Sequence, residues 1–280
     1  MINIPVNQSR GNVTLSPLER TAVGKMQDTP HFKNEVNADV TEAIGEAALE
    51  RIFGFVEGEE FIENETYKRS VSGKNLSIKK NIKDAFRLLG QLKDGETPVF
   101  YPVGVSKVGR HQMQGPNPQS NKLIRSLVAP TWSELDLSNQ DDMDLFWLGV
   151  GQAAELAKIE KNSHADVLLN VKDQFNAKYR EATDMVKEYL SSGTMDGEAF
   201  ADAVGVAEPQ VLAAIIAVAD LEIHQSTDAK TFRTSLSFEL DGLTNGAANM
   251  MVNFGQGEVT KEDFHNFNRV GLFLGQIGKT

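Results

Sequence analysis

Apolar and polar positions alternate with a period of two along Thr234-Ser-Leu-Ser-Phe-Glu-Leu-Asp241. Leu236, Phe238 and Leu240 share one parity and Ser237, Glu239 and Asp241 the other, the pattern of a half-buried strand. Asp241 therefore closes a strand on its polar face. Gly242, the Asn245-Gly246 turn signal and the small-residue run Ala247 to Met251 come next. The predicted order is strand, carboxylate, tight turn, closely packed helix.

Elsewhere the period is helical. Residues 1–30 are a polar arm with one short helix after Ser16-Pro17, where Ser caps and Pro occupies the first turn. Residues 39–55 place Val40, Ile44, Ala47, Ala48, Ile52 and Phe55 at helical spacing. An acidic stretch from Glu57 to Glu65 follows, then Tyr67-Lys68-Arg69 and a turn at Ser72-Gly-Lys-Asn75. From Ser77 to Leu92, Ile78, Ile82, Phe86, Leu89 and Leu92 form a stripe, with Lys79, Lys80, Lys83 and Arg87 on other faces. Further helices are predicted over residues 141–161, 165–190 and 196–204. Another spans Val211–Leu221 behind Pro209, and the last begins at the capping-box-like Thr260 and Asp263. Trp132 and Trp147 read as core anchors. Residues 97–130 cannot be one helix, because Pro98, Pro102, Pro116 and Pro118 and three glycines force an extended, turning backbone. Only Lys122 to Ala129 reads as a short helix within it. The class is α+β, mostly helical with a small antiparallel sheet.

Charge changes this picture more than composition does. The 280 residues carry a net charge of −11 and 40% hydrophobic residues, as a globular chain with a proper core would. Residues 68–130, however, hold 12 Lys/Arg against 3 Asp/Glu, whereas residues 131–280 hold 11 against 24. The basic segment suits phosphate groups, or is simply a set of solvated helix faces. The chain has no cysteine, which excludes a disulfide framework and Cys-ligated zinc. No run approaches the roughly 18 apolar residues of a membrane span, so the expected setting is the cytoplasm. The five histidines show no pair at metal-ligand spacing, and His111 reads as a solvent-facing loop residue. The terminal Gly278-Lys-Thr280 lacks the context of a phosphate-binding loop.

Asp241-Gly242 has two readings. An Asp-Gly after a strand is an ordinary turn; a carboxylate at a rigid strand end beside an open glycine carbonyl is also half of a Mg²⁺ site.

Two stretches taken together bear a resemblance. Ser106-Lys-Val-Gly109-Arg110, followed by Asn117-Pro-Gln-Ser-Asn-Lys122 and an apolar helix, resembles the Thr/Asp-x-x-Gly-Arg segment of single-subunit, phage- and mitochondrial-type DNA-dependent RNA polymerases. Asp241-Gly242-x-x-x-Gly246, 131 residues after Arg110, resembles the first palm motif of the same enzymes. The resemblance implies that Gly109 and Arg110 contact template and hybrid, with Lys107, Lys122 and Arg125 as lesser nucleic-acid contacts. It implies that Asp241 and Gly242 bind the catalytic Mg²⁺ ions. Ser106 departs from the family's usual Thr or Asp, and Asn245 to Asn249 diverge from its usual residues. The family's second palm Asp and its fingers helix lie farther downstream than the 39 residues that follow Asp241.

The expectation is therefore the smaller subunit of a split, heterodimeric phage RNA polymerase, with a fragment of a longer polymerase as the other explanation. Residues 1–95 are then an arm and a reduced thumb-like region, and residues 96–280 a palm portion. The partner subunit would supply the fingers and second Asp. DNA template, RNA product, ribonucleoside triphosphates and a single-stranded-DNA-binding accessory factor complete the implied set. The competing class is a non-catalytic phage nucleic-acid-binding or scaffold protein in which Asp241 only closes a turn.

Overall fold

The computed structural model describes residues 17–105, 111–156 and 164–236. By internal contacts the chain separates into Met1–Phe238 and Glu239–Thr280; the second unit, with its expected turn and helices, lies outside the described residues.

The first helix, α1 (Pro17–Gln27), opens on proline as its sequence predicts. After β1 (Phe32–Lys33), Asn34 caps α2 (Glu35–Ile44) by accepting from the Asn37 N–H. The single helix expected over 39–55 is in fact two. Gly45, at φ 82°, ends α2 and starts α3 (Glu46–Ile52), a left-handed conformation that periodicity does not register. The corner is filled by α8 (Gly197–Val204), since a Cβ on Gly197 would lie 2.1 Å from the Ile44 carbonyl oxygen. Only glycine permits that approach.

The turn expected at Ser72–Asn75 is absent, and α4 runs unbroken from Glu65 to Leu89. Asn75 looks like a turn residue but is buried, with both ends of its amide used by the loop below. Its Nδ2 donates to Val56 O at 2.8 Å and Glu59 Oε2 at 2.7 Å, and its Oδ1 accepts from Val56 N at 3.0 Å. That satisfaction removes the usual cost of a polar group inside a helix interface.

The strands are short and form three separate antiparallel ladders. β1 pairs with β4 (Val128–Ala129), β2 (Val103–Val105) with β3 (His111–Met113), and β5 (Ser133–Asp136) with β6 (Thr231–Thr234). The class is thus the expected one, helical with small antiparallel sheets, although the described strands do not join into one sheet. In β6, Phe232 and Thr234 are buried while Thr231 and Arg233 are exposed. β6 shares the parity read for Leu236 but ends at Thr234, the first residue of the stretch expected to be a strand, and Ser235 and Leu236 lie beyond it. Residues 237–241 lie outside the described residues.

The remaining helices are α5 (Lys122–Leu127), α6 (Gln140–Ala153), α7 (His164–Ser192) and α9 (Pro209–Gln225). Nearly every face of α9 is buried, and it packs against α5, α6 and α7, the central position its continuous apolar run predicts. From α7, Phe175, Tyr179, Ala182 and Val186 enter the same core at helical spacing. Within α6, Leu148, Gly149 and Gly151 are buried, but Leu145 is 46% exposed. The helix ends at Ala153, ahead of Glu155 at φ 57°. Trp147 packs on the core and meets Phe175 edge-on, whereas Trp132 is half-buried beneath the Arg233 guanidinium, 4.8 Å from its ring centre. One core takes in residues from α2 through β6, on both sides of residue 95.

His31 ties β1 to the segment before β2. Its backbone exchanges hydrogen bonds with Val99 at 2.9 and 2.7 Å, and its ring meets Tyr101 edge-on at 5.1 Å. Burial holds the imidazole below its ordinary pKa of 6.5, opposed in part by the Thr29 carbonyl. Desolvation likewise raises the pKa of the buried Tyr101 phenol, whose oxygen has no hydrogen-bond partner among the described residues.

Two outcomes follow from this packing. Gly197→Ala should cost about 1–3 kcal/mol by forcing the α2–α3 corner apart, read as a lowered urea midpoint; an unchanged midpoint would mean the Ile44 carbonyl yields freely. Because the unfolded chain binds a proton on His31 more readily than the folded one, stability is lost as pH falls below about 6.5. His31→Gln should flatten that slope in unfolding curves taken between about pH 7.5 and 5.

Candidate nucleic-acid interface

The β2–β3 hairpin aligns Val103 with Met113, Gly104 with Gln112 and Val105 with His111. Ser106 to Arg110, the residues between its strands in sequence, lie outside the described residues; they include the predicted contacts Lys107, Gly109 and Arg110. Asp241 and Gly242 lie outside them as well.

The loop after the hairpin is built on two buried asparagines. Asn117 accepts through Oδ1 from the N–H groups of Gln119 and Ser120 at 2.9 and 3.0 Å, and donates to Met113 O and Gly115 O at 3.1 and 2.7 Å. This is an Asx turn that also holds the end of β3. Asn121 caps α5 through the Leu123 and Ile124 N–H groups and donates to Asn81 O of α4 at 2.9 Å. The sequence shows these residues plainly. What it did not reveal is that they support the hairpin, although Asn-Pro followed by Asn before a helix is a turn and cap signal.

Two predicted contacts are described, and both are engaged by the protein. Arg125 donates from Nε to Pro118 O at 2.9 Å and from Nη2 to Gln119 O at 3.4 Å. Lys122 pairs with Glu208 at 3.0 Å, with about half of each side chain exposed, so the pair contributes little to stability. His111 is no loop residue. It starts β3 half-buried, and its Nε2 is buried without a hydrogen-bond partner among the described residues.

The basic segment resolves into an ordered surface on α4. Val71, Asn75, Ile78, Ile82, Ala85 and Leu89 form its buried stripe. At 100° per residue, the directly opposite stripe is Arg69, Leu76, Lys80, Lys83 and Arg87, all exposed. The four cations span about 27 Å at 1.5 Å per residue. Asp84 pairs with Lys80 at 3.2 Å and Arg87 at 3.1 Å, while Arg69 and Lys83 have no ion-pair partner among the described residues. Lys79 lies to the side, 3.9 Å from Glu50 and over the Phe55 ring. Among the described residues, no group of three or more His, Asp or Glu is placed to hold a metal ion.

Residues 18–128, from α1 through α5, match the family described as virion DNA-directed RNA polymerase domain. The chain is 28% identical over 276 residues to the virion DNA-directed RNA polymerase of Enterobacteria phage N4. The match takes in 95% of this chain and 8% of that protein, so the chain spans a small part of its relative's length. The chain is thus similar to a phage virion RNA polymerase over nearly all of its own length.

Proposed function

We propose that the chain is the part of a phage DNA-directed RNA polymerase that grips the template and contributes the first metal-binding carboxylate. The observation that carries this reading is the ordered pair of Ser106–Arg110 and Asp241-Gly242 in a chain related throughout to a virion RNA polymerase. The reaction is template-directed ribonucleotidyl transfer. The RNA 3′-hydroxyl oxygen bonds to the α-phosphorus of the incoming triphosphate, the bond from that phosphorus to the bridging oxygen breaks to release pyrophosphate, and the hydroxyl proton passes to solvent.

In this reading Arg110 clamps a template phosphate, Gly109 lets the backbone approach it, and Lys107 adds charge nearby. Lys122 and Arg125 act at the margin, given their protein partners. Asp241 and Gly242 supply a carboxylate and a carbonyl oxygen, hard donors that fit Mg²⁺. Bound Mg²⁺ supplies neutralisation of charge on the attacking and leaving oxygens. A second carboxylate is required, and in this reading it comes, with the fingers, from a partner subunit or from another part of a longer polymerase. Functionally, residues 1–95 are then the arm and thumb-like region and residues 96–280 the palm portion, even though the core is shared. A single-stranded-DNA-binding accessory factor and the host cytoplasm complete the assignment.

The outer stripe of α4 extends the same grip along the nucleic acid. Arg69 and Lys83 are its strongest candidates, because no carboxylate among the described residues pairs with them.

Two experiments test this. With the tagged chain recovered together with its co-purifying partner, Asp241→Ala should abolish RNA synthesis on single-stranded DNA with Mg²⁺ while leaving assembly intact. Retained synthesis would remove the metal role, and silence of both versions despite a stable partner would favour a binding or scaffold protein. Replacing Arg69 and Lys83 together by Ala should lower the salt slope of single-stranded DNA binding by about 1.4, from roughly 0.7 per phosphate contact. An unchanged slope would take α4 out of the interface.

A further inference from the structure

Resting on the reading of the α4 outer stripe as a nucleic-acid contact, we propose that Asp84 is a positioning residue that keeps this grip reversible. It is a fixed carboxylate to which Lys80 and Arg87 return when a phosphate leaves them.

Between Lys80 and Arg87 the sequence holds one acid, Asp84, and each of its two oxygens has its own cation. Oδ2 meets Lys80 Nζ at 3.2 Å, and Oδ1 meets Arg87 Nη2 at 3.1 Å. These are the i,i+4 and i,i+3 spacings at which side chains on a helix are neighbours. With the lysine preceding the acid, the first pair also runs in the weaker of the two orders. Exposure divides the three side chains unequally. Lys80 is 72% exposed and Arg87 56%, whereas Asp84 is 16% exposed. The cations reach solvent and the carboxylate is mostly covered, so the cations are the groups that change partners.

An exposed ion pair of this kind is weak, and a phosphate displaces the carboxylate from either cation. The exchange still has a cost, because it leaves a mostly covered charge without its partner. Lys80 and Arg87 therefore bind phosphate less firmly than Arg69 and Lys83, which have no ion-pair partner among the described residues. One helix face thus carries two grades of contact. Arg69 and Lys83 hold, while Lys80 and Arg87, about 10 Å apart along the axis, hold and let go. A polymerase must pass its nucleic acid along by one nucleotide at each addition. Cations that step from phosphate to carboxylate and back lower the barrier to that movement, which a row of unopposed cations would raise.

The test measures release of a fluorescent single-stranded DNA oligonucleotide from the full chain, comparing the parent with Asp84→Asn. Asparagine keeps the shape and an acceptor oxygen and removes the charge; an unchanged thermal midpoint verifies the fold. Release should slow roughly three- to tenfold, the worth of two weak ion pairs. The salt slope of binding should steepen by about 1.4, two phosphate contacts at roughly 0.7 each. A carboxylate acting only through the general field of the helix would have the same effect without its partners. In a chain carrying Lys80→Ala and Arg87→Ala, Asp84→Asn should instead change release by less than about twofold. Equal effects in both backgrounds, or release from Asp84→Asn as fast as from the parent, would overturn the positioning role alone. If replacing Arg69 and Lys83 leaves binding unchanged, the α4 contact falls first and this inference with it.

Discussion

A backbone that leaves water must find partners for every N–H and C=O it buries, and this fold meets that requirement without a sheet of more than two strands among its described residues. Two-stranded ladders expose an edge on each strand. Carboxamide side chains take up much of the deficit. Asn34 accepts from Asn37 and donates to Ser235 Oγ at 2.8 Å, Asn37 donates to Ser126 O at 2.8 Å, and Asn75, Asn117 and Asn121 each join two segments. An amide offers a donor and an acceptor on one planar group, so a single residue can bridge elements that run in different directions. The helical core around α9 supplies cohesion; the amides supply orientation.

This division explains what could be read from the sequence. Apolar periodicity identified α4, α7, α8 and α9, because burial on one face of a helix repeats along the chain. It failed at Gly45, where a left-handed residue breaks a helix without interrupting the apolar spacing. It failed again at Ser72–Asn75, where turn-forming residues continue a helix because a distant loop satisfies Asn75. Both errors come from tertiary contacts that local patterns do not encode. The site divides similarly. Residue types gave Lys122 and Arg125 as cations, but nothing local indicated that Glu208 and the Pro118 and Gln119 carbonyls would engage them. The supporting asparagines were visible as turn formers and not as struts.

Charge is segregated by element as well as by sequence. The outer face of α4 carries cations over its length, whereas carboxylates gather elsewhere with their own partners. Arg51 is held by Glu198 and Asp202, and Arg180 by Asp184 and Glu222 between α7 and α9. The guanidinium of Arg180 holds both of its carboxyl partners below their ordinary range. Acidic residues that already have partners leave the field above α4 less opposed, so the overall negative charge and a local affinity for phosphates are compatible.

The loop after the hairpin also bears on how the chain assembles. Its bonds join residues two to eight positions apart, so closing it costs little chain entropy. The ladder between Phe32 and Ala129, by contrast, must gather a long intervening segment. In kinetic terms the turn at Asn117 is a local nucleus, available before the distant strands meet, and the slow steps of folding belong to the ladders that close the longest loops.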